Sequence, residues 1–455
     1  MNDASTIAAI ATAPGRGGVA VVRVSGPDAF RIATQMTGRT VDSSLAGRFF
    51  HALFRTAKSG ESTSSLSSVL DDGLVLVFAS PRSYTGEDVV EFQGHGGSVA
   101  PRRVLEACLA AGARLARRGE FTERAFLNGR LDLGAAEAVI DLVDARTDRA
   151  ADDAVARLGG TASKTLESLY ASAIDVSSQI EHALDFSEEE LPEGFHEEIR
   201  ASVLRLRASV ARKLSTAREG RILREGALVV LAGVPNAGKS SLMNALLGEH
   251  RAIVSEEAGT TRDSIEEWLE IGGWPVRLVD TAGLREAAGA IEAEGVARAE
   301  RLIREADLII RLVPLAGEDR LGKNDFELAA ASCPKEIVVS SKCDQSSRRH
   351  EGYLAVSSKT GEGLEDLREL VAVRLTALAA KDAEETGADV TTRQKECLLA
   401  AEESLEQALA ALDFPEWVLA ANELRRAAES LGRVLGKLYS EDLLEALFSR
   451  FCVGK

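Results

Sequence analysis

The 455-residue chain is 45% hydrophobic and 27% charged, the balance of a globular protein with room for roughly three domains, which excludes a disordered or fibrous chain. Its 54 basic and 71 acidic residues leave a net charge of -17 and its aromatic content is 5%, so polyanion binding by the whole surface and an aromatic stacking platform for single-stranded nucleic acid are both disfavoured; nucleic acid would need a local basic patch or a second protein. The five scattered cysteines form no C-x-x-C pair, Arg16 is the first basic residue, and no uncharged apolar run reaches ~18 residues, so a disulfide framework, a zinc ribbon, a signal peptide and a membrane span are not expected, and a cytoplasmic location is.

Residues 1–125 alternate β-rich runs (18–24 and 73–78) with turns, and a helix is expected over 103–116, which predicts an α+β domain. The Ser-rich stretch 59–68 reads as a loop. From 126 to 225 the pattern becomes Ala-rich and helical, with Leu166, Leu169, Ile174, Ile180 and Leu184 at helical spacing, then Ile199, Val203, Leu206, Val210 and Leu214. The acidic run 187–190 reads as a solvated helix end. Residues 226–376 alternate strands (227–233, 276–280, 308–313, 337–341, 353–357) with helices, which predicts a parallel sheet covered on both faces. Residues 377–455 return to helices, so the α/β unit reads as an insertion into a helical domain.

The inserted unit carries the chemistry. Gly233-Val-Pro-Asn-Ala-Gly238-Lys239-Ser240 fits G-x-x-x-x-G-K-[ST] between a strand and a helix expected at 242–247. Backbone N–H groups from Gly233 through Ala237, Gly238 and Ser241 can surround a phosphate, Lys239 brings a point charge to the β/γ oxygens, and the Ser240 hydroxyl can ligate Mg²⁺. Asp280-Thr281-Ala282-Gly283 ends a later strand, where the carboxylate can hold the Mg²⁺ through water and Gly283 can offer its N–H to a γ-phosphate. Between them, Thr260 or Thr261 in Gly259-Thr-Thr-Arg-Asp263 can complete the metal shell and sense the γ-phosphate. Base selection is expected from Lys342 and Asp344. The usual pattern has Asn where this chain has Ser341, which weakens the base contact. Ser357-Ser358-Lys359 resembles the loop that meets the guanine oxygen. Ordinary strand-end loops are the alternative for these last two segments. Leu284, just after the aspartate motif, is unable to orient an attacking water, so the hydrolytic group must come from elsewhere.

Together these motifs resemble the TrmE-Era-EngA class of GTPases. Segments 83–97 and 119–133, with the ending Phe451-Cys452-Val453-Gly454-Lys455, narrow the resemblance to the tRNA-modification GTPase family MnmE, also called TrmE. The resemblance implies a multidomain α/β architecture: an N-terminal α+β folate-binding and dimerisation domain, a helical domain, and an inserted Ras-like P-loop G domain. It implies a cytoplasmic homodimer that works with the flavoprotein MnmG in a heterotetramer. The expected work is addition of a carboxymethylaminomethyl-type group to the wobble uridine of certain tRNAs, with GTP, Mg²⁺, K⁺ and either 5-formyltetrahydrofolate or 5,10-methylenetetrahydrofolate.

Carried over by position, the resemblance gives K⁺ contacts at Asn236, Ser255, Glu257 and Thr260, and a water-positioning role for Glu292. Read alone, Asn236 is a turn former and Glu292 a solvated acid at a helix start. For folate it points to Arg23, Glu91, Arg130 and Lys455, where the bland reading is ion-paired surface charge and where the family often has lysine at the Arg130 position. Two other classes compete: a ribosome-assembly or signalling GTPase that binds RNA without modifying it, and a folate-dependent one-carbon transferase with a vestigial G domain. The first should carry a basic RNA-binding module after the G domain, and the intact Lys239, Ser240, Thr261 and Asp280 argue against the second.

Overall fold

The computed structural model describes residues 5–56, 68–184, 192–248, 266–280, 300–315, 335–345, 353–380, 390–414 and 416–455. The loop expected at 59–68 and the acidic run 187–190 lie outside these residues, except for Ser68. Two compact units emerge: residues 1–140 with 432–455, and residues 141–431.

In the first unit, β1 (Ile7–Ile10), β2 (Val19–Ser25), β3 (Arg48–Arg55), β4 (Val69–Phe78), β5 (Val89–His95) and β6 (Arg114–Leu115) form one sheet in the order β3-β4-β5-β2-β1-β6. All pairings are antiparallel except β1 with β6. Alternating side chains such as Val22, Val24, Val75, Val77, Val90 and Phe92 bury one face against α1 (Ala29–Thr37) and α2 (Ala100–Ala110). The helix expected over 103–116 therefore ends early. After the turn at Gly112, Arg114 donates its N–H to the Thr6 carbonyl at 2.9 Å and begins β6. Two residues of strand are too few to announce themselves by alternation.

The same unit contains α3 (Glu120–Leu127), most of α4 (Leu133–Asp144) and the chain's last residues. Leu133 and Ala136 share a buried cluster with Leu444, Phe448 and Phe451. Val453 forms an antiparallel bridge with Arg118. Gly454, at φ +100°, passes so close to β1 that a Cβ there would lie 2.1 Å from the Ile10 carbonyl oxygen, a backbone approach that only glycine permits. Residues 126–140 and 432–455 thus pack in the same compact unit as the N-terminal sheet, although the sequence pattern groups them with the helical segments 126–225 and 377–455. Their helices bury apolar stripes whose periodicity does not disclose the partner.

The second unit holds α5 (Asp148–Leu158), α6 (Thr161–Ala183), α7 (Phe195–Ser215) and α8 (Ala217–Glu225), followed by the α/β insertion. The insertion contains β7 (Ala227–Gly233), α9 (Lys239–Gly248), β8 (Glu266–Ile271), β9 (Trp274–Asp280), β10 (Leu308–Pro314), β11 (Glu336–Ser341), β12 (Leu354–Val356) and α10 (Leu364–Ala380). Then come α11 (Thr392–Leu412) and α12 (Trp417–Val434), with α13 (Glu441–Phe448) belonging to the first unit. Residues on α7 and α11, from either side of the insertion, meet through Arg207–Glu406 and the His196 ring bond to the Leu412 carbonyl. On α6, Leu166, Leu169 and Ile180 are buried as expected, but Ile174 and Leu184 are exposed and Ala173 and Val176 take the inner positions. In an Ala-rich helix, small side chains let neighbours approach, so the largest residues do not by themselves mark the buried stripe.

The insertion's sheet runs β12-β11-β10-β7-β9-β8. It is parallel except for β8, an edge strand antiparallel to β9 that the sequence pattern does not distinguish from the polar stretch before it. β7 alternates Val229 and Leu231 toward one core with Leu228, Val230 and Ala232 toward another, as a parallel strand covered on both faces must. Arg146 lies 4.1 Å from the Trp268 ring centroid and Arg149 3.8 Å from that of Trp274, and Arg149 also bonds Glu219 at 2.6 Å. These cation–π contacts fix the hairpin whose second strand delivers Asp280.

Candidate functional site

The phosphate-binding loop is built where buried β7 turns into α9. Gly233 adopts φ +146°, and a Cβ there would stand 2.5 Å from the Leu312 carbonyl oxygen on β10, so the loop can leave the sheet at this point only from glycine. Asn236 follows in the left-handed region at φ 62°, and Leu242 donates to the Gly238 carbonyl at 2.8 Å. Lys239 is 6% exposed, and its Nζ donates to the carbonyls of Gly233 at 3.1 Å and Val234 at 3.0 Å. The ammonium is therefore folded over the loop expected to enclose a phosphate. Ser240 Oγ donates to Asp280 Oδ2 at 2.5 Å, which unites a hydroxyl and a carboxylate from separate elements. Two hard oxygen donors at the loop's edge are the set that Mg²⁺ accepts alongside phosphate oxygens.

The residues expected to select the base gather at the ends of β11 and β12. Lys342 has φ 60°, and its Cε would lie 3.8 Å from a Cβ on Gly238, so its stem runs beside the phosphate loop. Asp344 accepts a 2.7 Å bond from Ser357 Oγ, which in turn accepts the N–H groups of Lys359 and Thr360. Ser341, where the usual pattern has Asn, donates its buried hydroxyl to the Ala237 carbonyl at 2.7 Å. The shorter side chain still ties the base loop to the phosphate loop, a contact invisible in the sequence because it joins positions 104 residues apart. Ser255, Glu257, Thr260, Thr261, Thr281, Ala282, Gly283, Leu284 and Glu292 lie outside the described residues. Asn236 is exposed, and its amide has no hydrogen-bond partner among the described residues.

The first unit brings together a second group. Arg23 Nε donates to Glu91 Oε1 at 2.8 Å across adjacent strands β2 and β5. Its guanidinium lies 5.1 Å from the Tyr84 ring centroid and 5.5 Å from that of Phe121, and the Tyr84 hydroxyl pairs with Thr122 at 2.8 Å. Burial pushes the Tyr84 phenol pKa up. Arg130 Nε donates to the Ser83 carbonyl at 3.1 Å, and Asn128 holds the Thr85 carbonyl at 2.7 Å, so the loop 83–87 is pinned to the segment after α3. Lys455 is half-buried at the end of the segment that crosses Ile10.

Beneath this group lies a charged network that sequence reasoning missed. Glu120 accepts both terminal nitrogens of Arg114 (2.5 and 2.8 Å), the Arg117 N–H (2.8 Å) and Arg124 (3.1 Å). Arg124 also reaches Glu87, which accepts Ser25 Oγ at 2.7 Å. Tyr84, Phe121 and Glu120 sit inside the motif segments 83–97 and 119–133. Their spacing there gave a signal of position but none of role.

Comparison with known proteins matches residues 133–452 to a family model described as the MnmE helical domain and residues 6–130 to one described as the GTP-binding protein TrmE N-terminus. The chain is 44% identical over 462 residues to the tRNA modification GTPase MnmE of Bordetella petrii, covering 99% of this chain and 98% of that protein. It is 43% identical to the proteins of that name from Xanthomonas campestris pv. campestris and Symbiobacterium thermophilum, covering 99% of each and of this chain.

Proposed function

The chain belongs to the MnmE (TrmE) family of tRNA modification GTPases, and from that premise we propose that GTP hydrolysis in the second unit is coupled to wobble-uridine modification served by a tetrahydrofolate site in the first. The observation that carries the reading is the meeting of Ser240 with Asp280 beside the folded-over Lys239. Nucleotide binding then exchanges the Gly233 and Val234 carbonyls for β/γ oxygens at Lys239. Ser240 and Thr261, with Asp280 acting through water, would hold Mg²⁺, which would neutralise phosphate charge, and Asn236, Ser255, Glu257 and Thr260 would hold K⁺, which would supply the charge that an arginine finger supplies elsewhere. Asp344, oriented by Ser357, accepts the guanine N–H groups, while the Lys342 stem covers the base. Glu292 orients the attacking water in place of Leu284.

In the first unit, Glu91 accepts pterin N–H groups, and Arg23, Arg130 and Lys455 provide cations for the glutamate tail of 5-formyltetrahydrofolate or 5,10-methylenetetrahydrofolate. Tyr84 and Phe121 hold the Arg23 guanidinium in place. The partners in this reading are a second copy of the chain, the flavoprotein MnmG and tRNA. No helix among the described residues is long and apolar enough to cross a membrane.

Mass spectrometry of tRNA from a strain lacking the protein tests the whole reading. The carboxymethylaminomethyl-type wobble modification should disappear and return with the parent gene, and its persistence would end the assignment. Two measurements test the nucleotide site more closely. Glu292→Ala should lower kcat by about a hundredfold while GTP affinity stays near the parent value, because the contact forms in the transition state; equal losses in both would indicate a structural role. K⁺ should accelerate hydrolysis over Na⁺ at matched ionic strength, and replacing Asn236 by Ala should erase the difference. Equal parent rates in the two salts would refute the cation assignment.

A further inference from the structure

Between residues 199 and 224 the sequence places eight cations against one carboxylate, Glu219, in a chain of net charge -17. Three of the eight meet carboxylates and a fourth meets a backbone carbonyl. Arg200 pairs with Asp413 at 3.0 Å, Arg207 with Glu406 at 3.4 Å, Arg221 with Asp307, and Arg224 donates to the Val390 carbonyl at 2.7 Å.

Arg205 and Arg212 differ. They are seven residues apart on α7, exposed, about 10 Å from one another along the axis and roughly 140–160° around the helix from Arg207. Neither meets a carboxylate within 4 Å among the described residues. Each is held instead by a neutral acceptor one turn earlier: Arg205 donates to Ser202 Oγ at 2.9 Å and Arg212 to Ser209 Oγ at 3.0 Å. Each serine spends its own proton on a helix carbonyl, Ser202 on Glu198 and Ser209 on Arg205, and so presents only lone pairs to the guanidinium. The result is a repeated Ser-x-x-Arg device that orders two guanidinium groups without cancelling their charge.

We infer that this face of α7 is a contact for the phosphate backbone of the tRNA substrate, an inference that rests on tRNA modification as the function. An acidic chain can hold a polyanion only through such a local cationic strip. Guanidinium groups whose rotamers are already fixed give up less entropy on meeting phosphate, and their planar N–H pairs suit its oxygens. The contact positions the RNA and reads no sequence.

The test is binding of a tRNA transcript to the full-length protein with its flavoprotein partner, measured from 50 to 200 mM KCl. Arg205→Gln/Arg212→Gln should weaken binding several-fold and reduce the slope of log affinity against log salt by about 1.4 to 1.8, the release expected from two phosphate contacts. Arg205→Lys/Arg212→Lys should keep the slope. Arg200→Gln/Arg207→Gln, which removes the same charge from the other flank, should leave the slope near parental. All three should hydrolyse GTP at the basal parent rate, which reports an intact fold.

An unchanged slope in the first variant, an equal fall in the Arg200/Arg207 control, or no salt-dependent tRNA binding by the parent complex would overturn the inference. Loss of the flavoprotein with an unchanged tRNA slope would overturn it too and assign the face to that partner. Modification in the deletion strain decides the functional reading separately, so a failed strip and a failed function give different results.

Discussion

Lys239→Ala should reduce GTP hydrolysis by at least about a hundredfold and weaken nucleotide binding with it. Lys239 is 6% exposed, and its ammonium bonds the carbonyls of Gly233 and Val234 at the mouth of the loop. Removing it leaves the β/γ charge facing two carbonyl dipoles of the wrong sign, in a site where screening by water is small. Arginine should rescue poorly, because its planar fork is longer and wider than the space a folded-back lysine occupies. Single-turnover hydrolysis and titration with a fluorescent GTP analogue measure the two effects, and parent-like turnover in the alanine variant would remove Lys239 from the nucleotide site.

Glu120→Ala should destabilise the first unit by about 3–5 kcal/mol, the cost of breaking a buried ion pair from one side, and lower its unfolding midpoint by roughly 10 °C. Glu120 is 1% exposed and serves Arg114, Arg124 and the Arg117 N–H together. Its loss removes the carboxylate that Arg114 and Arg124 share, while Arg124 keeps Glu87 and Arg114 keeps Ser5 Oγ. Burial opposes ionisation of Glu120, but the hydrogen bonds from Arg114 and Arg117 and the charges of Arg114 and Arg124 outweigh it, bringing the carboxyl from 4.5 down to about 2. A carboxylate whose pKa is depressed by folding contributes stability that is fully present above 4.5 and is lost as pH falls from 4.5 toward 2. Denaturant midpoints of the parent should therefore drop through that window, and those of Glu120→Gln should drop less. A parent and variant with parallel pH profiles would dismiss the network as a source of stability.

The geometry of the candidate nucleotide site was legible where it is local: Gly233 to Ser240 form one turn between a strand and a helix, and Asp280, which meets Ser240, shows itself by ending an apolar run. The tie from Ser341 to Ala237 was not legible, since serine in place of asparagine reads as a loss until the distance is known. The network around Glu120 was hidden for the same reason: Ser25, Glu87, Arg114 and Arg124 come from four separate segments, and each alone is an ordinary surface charge or hydroxyl. β8 escaped notice because an edge strand bearing Glu266, Glu267 and Glu270 looks like the polar stretch before it. On α6, periodicity found the helix and part of its inner face, Leu166, Leu169 and Ile180, but not Ala173 and Val176, which pack where Ile174 does not.

The first unit's discontinuity also sets an order of manufacture. Residues 1–140 leave the ribosome with Leu133 and Ala136 lacking Leu444, Phe448 and Phe451, the side chains that complete their cluster. At about 5–20 residues per second, residues 141–431 take roughly 15–60 s to follow. Throughout that interval the nascent chain carries an open apolar patch, which makes it a client for chaperones until the last two dozen residues arrive. A message cut short between the end of the α/β insertion and the codon for Leu444 would yield a protein with that insertion whole but an N-terminal unit still open.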